Sequence, residues 1–124
     1  MGKTYRDLIA WQKAMELVTE IYRTTRTFPK EEVYGLISQL RRAAVSIPSN
    51  IAEGQARFSH LEFQHFLRNA RGSLVEVETQ LLIARNLNYV SAEIAERLLA
   101  RAAELGRILN ALLDSIDRRV KKKS

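Results

Sequence analysis

The chain has 124 residues, of which 46% are hydrophobic and none is cysteine, and it carries a formal net charge of +6. This length suits one compact domain and is too short for two, and the lack of cysteine excludes disulfides, thiolate metal sites and a cysteine nucleophile. Because no apolar run approaches the ~20 residues that span a bilayer, and the first residues lack the hydrophobic stretch of a secretory signal, we expect a soluble cytoplasmic protein with no membrane partner.

Hydrophobic periodicity predicts four amphipathic helices and no strand, because no stretch shows sustained alternation or runs of β-branched residues. The first helix is predicted from about Asp7 to Thr25. It has two apolar faces, which indicates contacts on two of its sides. One face holds Leu8, Trp11, Met15, Val18 and Tyr22, and the other holds Ala10, Ala14, Leu17 and Ile21.

The second helix is predicted from about Lys30 to Glu53, after a stop at Phe28-Pro29. Gly54 then fits a C-terminal stop. The apolar positions of this helix recur in alternating steps of four and three, as in the seam of a helix bundle. They are Val33, Ile37, Leu40, Ala44, Ile47 and Ile51.

Two further helices complete the pattern. The third is predicted from a capping box of Ser59 and Glu62 to about Asn86, and the fourth from a cap at Ser91 to about Ile116. The third helix has its own apolar seam in steps of four and three, formed by Phe63, Leu67, Ala70, Leu74, Val77, Leu81 and Ala84. The short connections make sequential helices antiparallel neighbours. The predicted fold class is therefore all-α, an antiparallel up-down-up-down four-helix bundle.

The bundle is predicted to occupy residues 1–117 and to be followed by a basic tail at 118–124. Inside the second helix, Pro48 removes one backbone hydrogen bond and clashes with the preceding turn, at a cost of about 3 kcal/mol or more. We interpret Pro48 as a kink that wraps this helix around the bundle. The alternative is that the bend shapes a subunit contact or a groove.

A polar stripe runs beside the apolar seam of the second helix, formed by Arg42, Ser46, Asn50 and Glu53. The third helix repeats the pattern with Asn69, Ser73, Glu76 and Gln80. Because buried polar groups need partners, a salt bridge from Arg42 to Glu76 or Glu53 is expected if these groups are partly buried. The stripe either fixes helix register or forms a solvated flank, or else it lines a binding cleft.

Catalytic and metal-binding motifs are weak. Glu62 and His65 form one E-x-x-H pair, but a di-iron bundle site needs two such pairs and two further carboxylates. The only histidines are His60 and His65, and the chain has neither a glycine-rich phosphate loop nor a G-x-S-x-G elbow. We therefore predict no enzymatic activity, no metal and no cofactor.

Most of the positive charge lies near the C-terminus. Residues 118–124 hold five basic and no acidic residues, which leaves 15 basic and 14 acidic residues, a net charge of +1, in the rest of the chain. Residues 1–30 hold six basic and three acidic residues, whereas residues 91–117 hold three basic and five acidic residues. This opposite bias could steer helix pairing within one chain or between subunits.

Several motifs, in order along the chain, resemble the four-helix bundle proteins encoded in 23S rRNA intervening sequences over about residues 5–116. They are Asp7 to Ala14, Phe28-Pro29 with Glu32, Tyr34 to Leu36, Gln39 to Gly54, and Gly72 to Leu74 with Glu76. The family is similar to the accessory variability determinant of diversity-generating retroelements. Members of that group assemble as ring-like homopentamers and associate with nucleic acid and a reverse transcriptase.

The resemblance implies a homo-oligomer, by analogy a pentamer, that binds RNA or a reverse-transcriptase-like protein. It also places Pro48 and the polar stripe in a shared scaffold, because the family pattern R-A-x-x-S-I-P-x-N-I-A-E-G corresponds to residues 42–54. In a ring, basic residues of several subunits would surround one axis or rim. The candidate contacts are Arg23, Arg26, Arg68, Arg71, Arg118, Arg119, Lys121, Lys122 and Lys123.

The sequence thus predicts a non-catalytic scaffold that binds structured RNA or a nucleoprotein partner mainly through phosphate contacts. Base-specific readout is not expected, because the sequence reveals no aromatic stacking platform. The alternative is a structural or protein-protein interaction module whose basic tail serves solubility. Basic side chains that converge on one surface would favour the first interpretation, and scattered charges would favour the second.

Overall fold

The structure, a computed structural model, describes residues 4–123, and of Lys123 only its place in the last helix. These residues form four α-helices and two short 3₁₀ turns, without a strand: α1 Ile9–Thr25, α2 Leu36–Ala56, α3 His60–Asn86 and α4 Ala92–Lys123. Each helix packs on the next, and α4 packs back on α1. The predicted all-α fold class, a four-helix bundle, is confirmed.

The core consists largely of the residues that the apolar periodicity identified. In α1 the face formed by Ala10, Ala14, Leu17 and Ile21 is buried. The other apolar face, which includes Trp11 and Met15, is only partly covered. In α2 and α3 the predicted seam positions from Ile37 to Ile51 and from Leu67 to Ala84 are buried. Removing each large apolar side chain from water contributes roughly 1.5–3 kcal/mol, so this seam is the main source of stability.

Helix α2 begins later than predicted. Residues Lys30–Glu32 form a single 3₁₀ turn, and the α-helix starts at Leu36, after Gly35. Gly35 has φ −112° and ψ −114°, which is not a helical conformation. Val33, expected in the apolar seam, is therefore outside the helix and 48% exposed.

Gly54 does not end α2, which continues to Ala56. It is buried where α2 crosses α3, and a Cβ atom built on it would lie 2.7 Å from Cβ of Phe66 and 2.8 Å from Cδ1 of Phe63. The residue therefore permits a close approach of two helices rather than a reversal of the chain. Pro48 lies inside α2, as predicted, and the helix continues on both sides of it.

The predicted serine caps are present. Ser59 Oγ accepts a hydrogen bond of 3.2 Å from the Glu62 N–H, and Ser91 Oγ accepts one of 3.1 Å from the Ile94 N–H. The loop between α3 and α4 contains Asn88 at φ 61°, a left-handed conformation that asparagine tolerates. These caps fix the direction in which α3 and α4 begin.

Three ion pairs connect α1 to α4 on the outside of the bundle. Their nitrogen to oxygen distances are 3.4 to 3.7 Å, and they join Lys13 to Glu104, Glu16 to Arg101 and Glu20 to Arg97. Exposed pairs of this kind contribute about 0.2–1 kcal/mol each. The opposite charges of the first and last helices thus pair, at least in part, within one chain.

Glu32 holds together the end of the bundle that carries the α1–α2 and α3–α4 connections. Its Oε1 accepts the Leu36 N–H at 3.0 Å, and its Oε2 accepts the Tyr89 hydroxyl at 2.8 Å. The Tyr89 ring also packs on Phe28, with 5.6 Å between centroids. The hydrogen bond from Leu36, followed by that from Tyr89, lowers the pKa of Glu32, and the bond to Glu32 raises the pKa of Tyr89.

Gly54→Ala is expected to destabilise the protein by about 1–3 kcal/mol, because the added methyl group overpacks the contact with Phe63 and Phe66. Gly72→Ala is the matched control, since a Cβ atom at Gly72 meets no atom within 4 Å. It should stabilise α3 by roughly 0.5–1 kcal/mol. Urea denaturation of both variants measures the difference, and equal effects of the same sign would contradict this account of Gly54.

Glu32→Gln is expected to reduce stability in a pH-dependent manner. Because the folded pKa of Glu32 is lowered, its ionised form contributes stability above the unfolded pKa of about 4.3, and that contribution is lost as pH falls through the folded pKa. The difference in free energy of unfolding between wild type and variant should therefore shrink as pH falls from about 6 to about 3. Glu31→Gln, at the exposed neighbouring position, is the control. A difference that does not change with pH would contradict the assignment.

Candidate nucleic-acid interface

Basic side chains gather at the end of the bundle where α2 turns into α3. Helix α4 passes this turn and continues through Lys123, so the predicted tail is helical as far as the structure describes it. The exposed side chains here define what we call the basic end. They are Arg57, Arg118, Arg119, Lys121 and Lys122.

A cavity of about 290 Å³ lies at the basic end, between the α2–α3 turn and α4. Arg57, Phe58 and His60 line it from the turn and the start of α3, and Arg119 lines it from α4. Phe63 and Ile116 are also among its lining residues. The cavity therefore brings together two guanidinium groups, an imidazole and two phenylalanine rings.

Phe58 is the most exposed large apolar side chain at this end, with a relative exposure of 107%. It occupies the middle of the three-residue turn, directly after Arg57, whose guanidinium lies 5.1 Å from the centroid of Phe66 and 3.9 Å from the Glu62 carboxylate. Sequence reasoning missed Phe58, because a single aromatic residue in a turn belongs to no periodic pattern. The one available signal was its position between an arginine and a helix cap.

Not all the predicted phosphate contacts lie at the basic end. Arg68 and Arg71 are on the α3–α4 face, where Arg68 lies 3.8 Å from Asp117 and Arg71 donates a hydrogen bond of 3.3 Å to Asn110. Arg23, 3.8 Å from Glu20, and Arg26 lie at the opposite end of the bundle. The side chain of Lys123 lies outside the described residues. The structure therefore brings Arg119 to the same cavity as Arg57 and separates both from Arg23 and Arg26.

The polar stripe of α2 forms a groove against α3. Ser46 Oγ and Ser73 Oγ are 2.9 Å apart, and Asn50 Nδ2 donates to the Ser46 carbonyl at 2.8 Å. Gln80 is 9% exposed, and its Oε1 atom has no hydrogen-bond partner among residues 4–123. The groove also holds Arg42, Gln39 and Glu76.

The expected salt bridge of Arg42 is not formed. Within residues 4–123, no ion pair of 4.0 Å or less joins Arg42 to Glu53 or Glu76, although Arg42 and Glu76 line the same groove. All three side chains are exposed, so water solvates them in place of a partner. The polar contact between α2 and α3 is made instead by the hydroxyls of Ser46 and Ser73, deeper in the groove.

The partly covered apolar face of α1, which includes Trp11 and Met15, lines a groove against α2. The groove encloses about 330 Å³, and its lining includes Trp11, Met15, Val18, Val45 and Pro48. Met15 remains 41% exposed and Val45 38% exposed. This predicted contact side of α1 is thus only partly covered within one chain.

The described part of the chain shows no arrangement typical of a metal centre or of a membrane span. There, no group of three or more His, Cys, Asp or Glu side chains is arranged to hold a metal ion. Glu62 and His65, the E-x-x-H pair, are both exposed. None of the helices among residues 4–123 is both long and apolar enough to cross a bilayer.

These observations define the class of protein as an antiparallel four-helix bundle with one strongly basic end and a half-covered apolar groove. The amino-acid sequence identifies the family. Residues 6–111 match the model of the 23S rRNA-intervening sequence protein family, and the chain belongs to that family. The resemblance drawn from the motifs is confirmed.

A crystal structure of similar fold comes from Bacteroides thetaiotaomicron, and it is of a protein with unknown function from the S23 ribosomal protein family. The two chains superpose with a TM-score of 0.76 at 21% sequence identity, over 85% of this chain and 98% of the other. A search of curated proteins found no match. The descriptions of this family and of this crystal structure name no enzymatic activity.

Proposed function

We propose that the protein is a non-catalytic, homo-oligomeric scaffold that binds structured RNA, alone or in a nucleoprotein, through its basic end. The observation that carries this proposal is that Arg57 and Arg119 line one cavity, next to the exposed basic residues Arg118, Lys121 and Lys122 on the adjoining turns of α4. Phosphate contacts from lysine and arginine supply most of the affinity of such surfaces. The basic end is therefore the part of the molecule best suited to a polyanion.

Self-association is the second part of the proposal, and it rests on two different exposed patches. Val45 and Met15 form an apolar patch beside Arg42, which makes no ion pair among residues 4–123. On α3, Val75 and Leu82 are 55% and 39% exposed and lie one turn from Glu78. The opposite charges of Arg42 and Glu78 make the two patches complementary between copies.

An interface that joins two different patches repeats from copy to copy and closes into a ring when the rotation allows it. A pentamer would fit this geometry and the resemblance to ring-forming relatives. Five basic ends carried on one ring would concentrate positive charge on one rim or face. In the alternative, a protein-interaction module without nucleic acid, the apolar groove between α1 and α2 is the functional surface.

The combined variant Arg118→Ala, Arg119→Ala and Lys122→Ala is expected to weaken binding to an RNA hairpin. It should also lower the steepness of the salt dependence by roughly 0.7–0.9 for each phosphate contact removed. The matched control is Arg23→Ala with Arg26→Ala, because these residues lie at the opposite end of the bundle. Equilibrium titrations across a salt series compare the three proteins.

Equal losses of RNA affinity in both variants would indicate phosphate contacts at both ends of the bundle and contradict a basic-end site. A wild-type chain that binds no RNA at any salt concentration would contradict the proposed function itself and favour the protein-interaction module.

Val45→Glu is expected to disrupt the oligomer, because it places a charge in an apolar contact between copies. Light scattering after size-exclusion chromatography should show a mass near that of one 14.2 kDa chain for this variant and a multiple of it for wild type. Ala103→Glu, at an exposed position of α4, is the control and should keep the wild-type mass. An unchanged mass for the Val45 variant would place the subunit contact elsewhere.

A further inference from the structure

We propose that the cavity at the basic end binds one unpaired nucleotide of RNA, with its base stacked on Phe58 and its phosphate between Arg57 and Arg119. This inference rests on the RNA-binding function proposed above. It adds a ligand class, single-stranded RNA, to a surface that would otherwise recognise only phosphate charge.

The first observation is the position of Phe58. Its ring is fully exposed, although aromatic side chains are among the largest contributors of buried apolar area in proteins. The turn that carries it is anchored on both sides, since the Arg57 N–H donates to the Gly54 carbonyl at 3.2 Å and Ser59 caps α3. Phe58 is thus held out on a short, fixed turn, which is the geometry of a stacking platform.

The second observation is the pair of guanidinium groups on the walls of the cavity. Arg57 comes from the turn, where its guanidinium lies over the Phe66 ring and 3.9 Å from the Glu62 carboxylate. Arg119 comes from α4, and its side chain makes no ion pair or hydrogen bond among residues 4–123. Guanidinium groups bind phosphate oxygens with two parallel hydrogen bonds, so a phosphate between these two walls would be held from both sides.

The third observation is a buried polar atom beside the cavity. The Nδ1 atom of His60 has no hydrogen-bond partner among the described residues. Buried polar atoms nearly always have one. The edge of a base carries hydrogen-bond donors and acceptors, and a base in this cavity would supply the missing partner once the imidazole ring turns toward it.

The size and chemistry of the cavity favour an unpaired nucleotide over a helical segment. A volume of about 290 Å³ suits one small ligand group. In a duplex the faces of each base are already stacked on their neighbours, and the ring of Phe58 would find no free face. In a loop, bulge or end, an unstacked base is available for such a contact.

The experiment compares two RNA probes of equal length, a single strand without secondary structure and a blunt duplex, at one fixed salt concentration. Phe58→Ala should weaken binding to the single strand by roughly 5- to 150-fold and change binding to the duplex by less than about twofold. Phe58→Leu keeps apolar bulk without a ring and should lose as much as the alanine variant. Phe58→Trp keeps a stacking surface and should retain the affinity. Tyr34→Ala is the control, since Tyr34 is an equally isolated aromatic, 95% exposed and far from the basic end.

The outcomes separate this proposal from the function on which it rests. If wild type binds both probes and the Phe58 variants bind the single strand as wild type does, the nucleotide site is overturned while RNA binding stands. Wild-type affinity of Phe58→Leu for the single strand would also overturn it, because the contact would then be apolar bulk and not stacking. If wild type binds neither probe, both proposals fail. Because Phe58 has no buried surface to lose, all its variants should fold, which circular dichroism can check.

Discussion

The close approach of α2 and α3 at Gly54 controls the geometry of the basic end. With no Cβ atom at this position, the Phe63 and Phe66 side chains pack directly against the α2 backbone. The two helices are therefore already close at the point where the chain reverses, and three residues, 57–59, connect them. A longer or wider connection would move Arg57 and Phe58 away from α4. The cavity, its two arginines and its exposed ring all depend on this one contact.

The long faces of the bundle are not alike in chemistry, and the differences determine which surface remains available for partners. Ion pairs cover the α1–α4 face, and serine hydroxyls connect α2 to α3. The α1–α2 face is apolar and only half covered. The surface proposed for contacts with a second copy thus does not overlap the basic end, so the proposed assembly and the proposed binding of a polyanion are compatible.

Much of the fold was predictable because it follows from local periodicity. The seams of α2 and α3 predicted which residues are buried, and the serine caps predicted where α3 and α4 begin. The errors have tertiary causes. Gly54 has the sequence context of a helix stop, but its role is set by two phenylalanines of the next helix. Likewise, α2 begins at Leu36 because Glu32 bonds to its N–H and to Tyr89, which lies far away in sequence.

The candidate site was less predictable for the same physical reason. The basic residues of the last turns were evident from the sequence, but their proximity to Arg57 and Phe58 depends on how far α4 extends along α3. Arg42 was expected to form a salt bridge, yet the stripe places it at the surface, where water competes with any partner. Sequence patterns identify which faces are polar, and only the packing decides which polar groups meet.

The length of α4 separates the requirements of folding from those of recognition. Ile116 is the last buried residue among residues 4–122, and beyond it in that range only Val120 packs partly against the core. The family match ends earlier still, at residue 111. Mutations in the last turns can therefore add, remove or reverse charge with little effect on the free energy of unfolding. Under the proposed function, natural selection could adjust the affinity for polyanions, or change the target, while the scaffold itself stays constant.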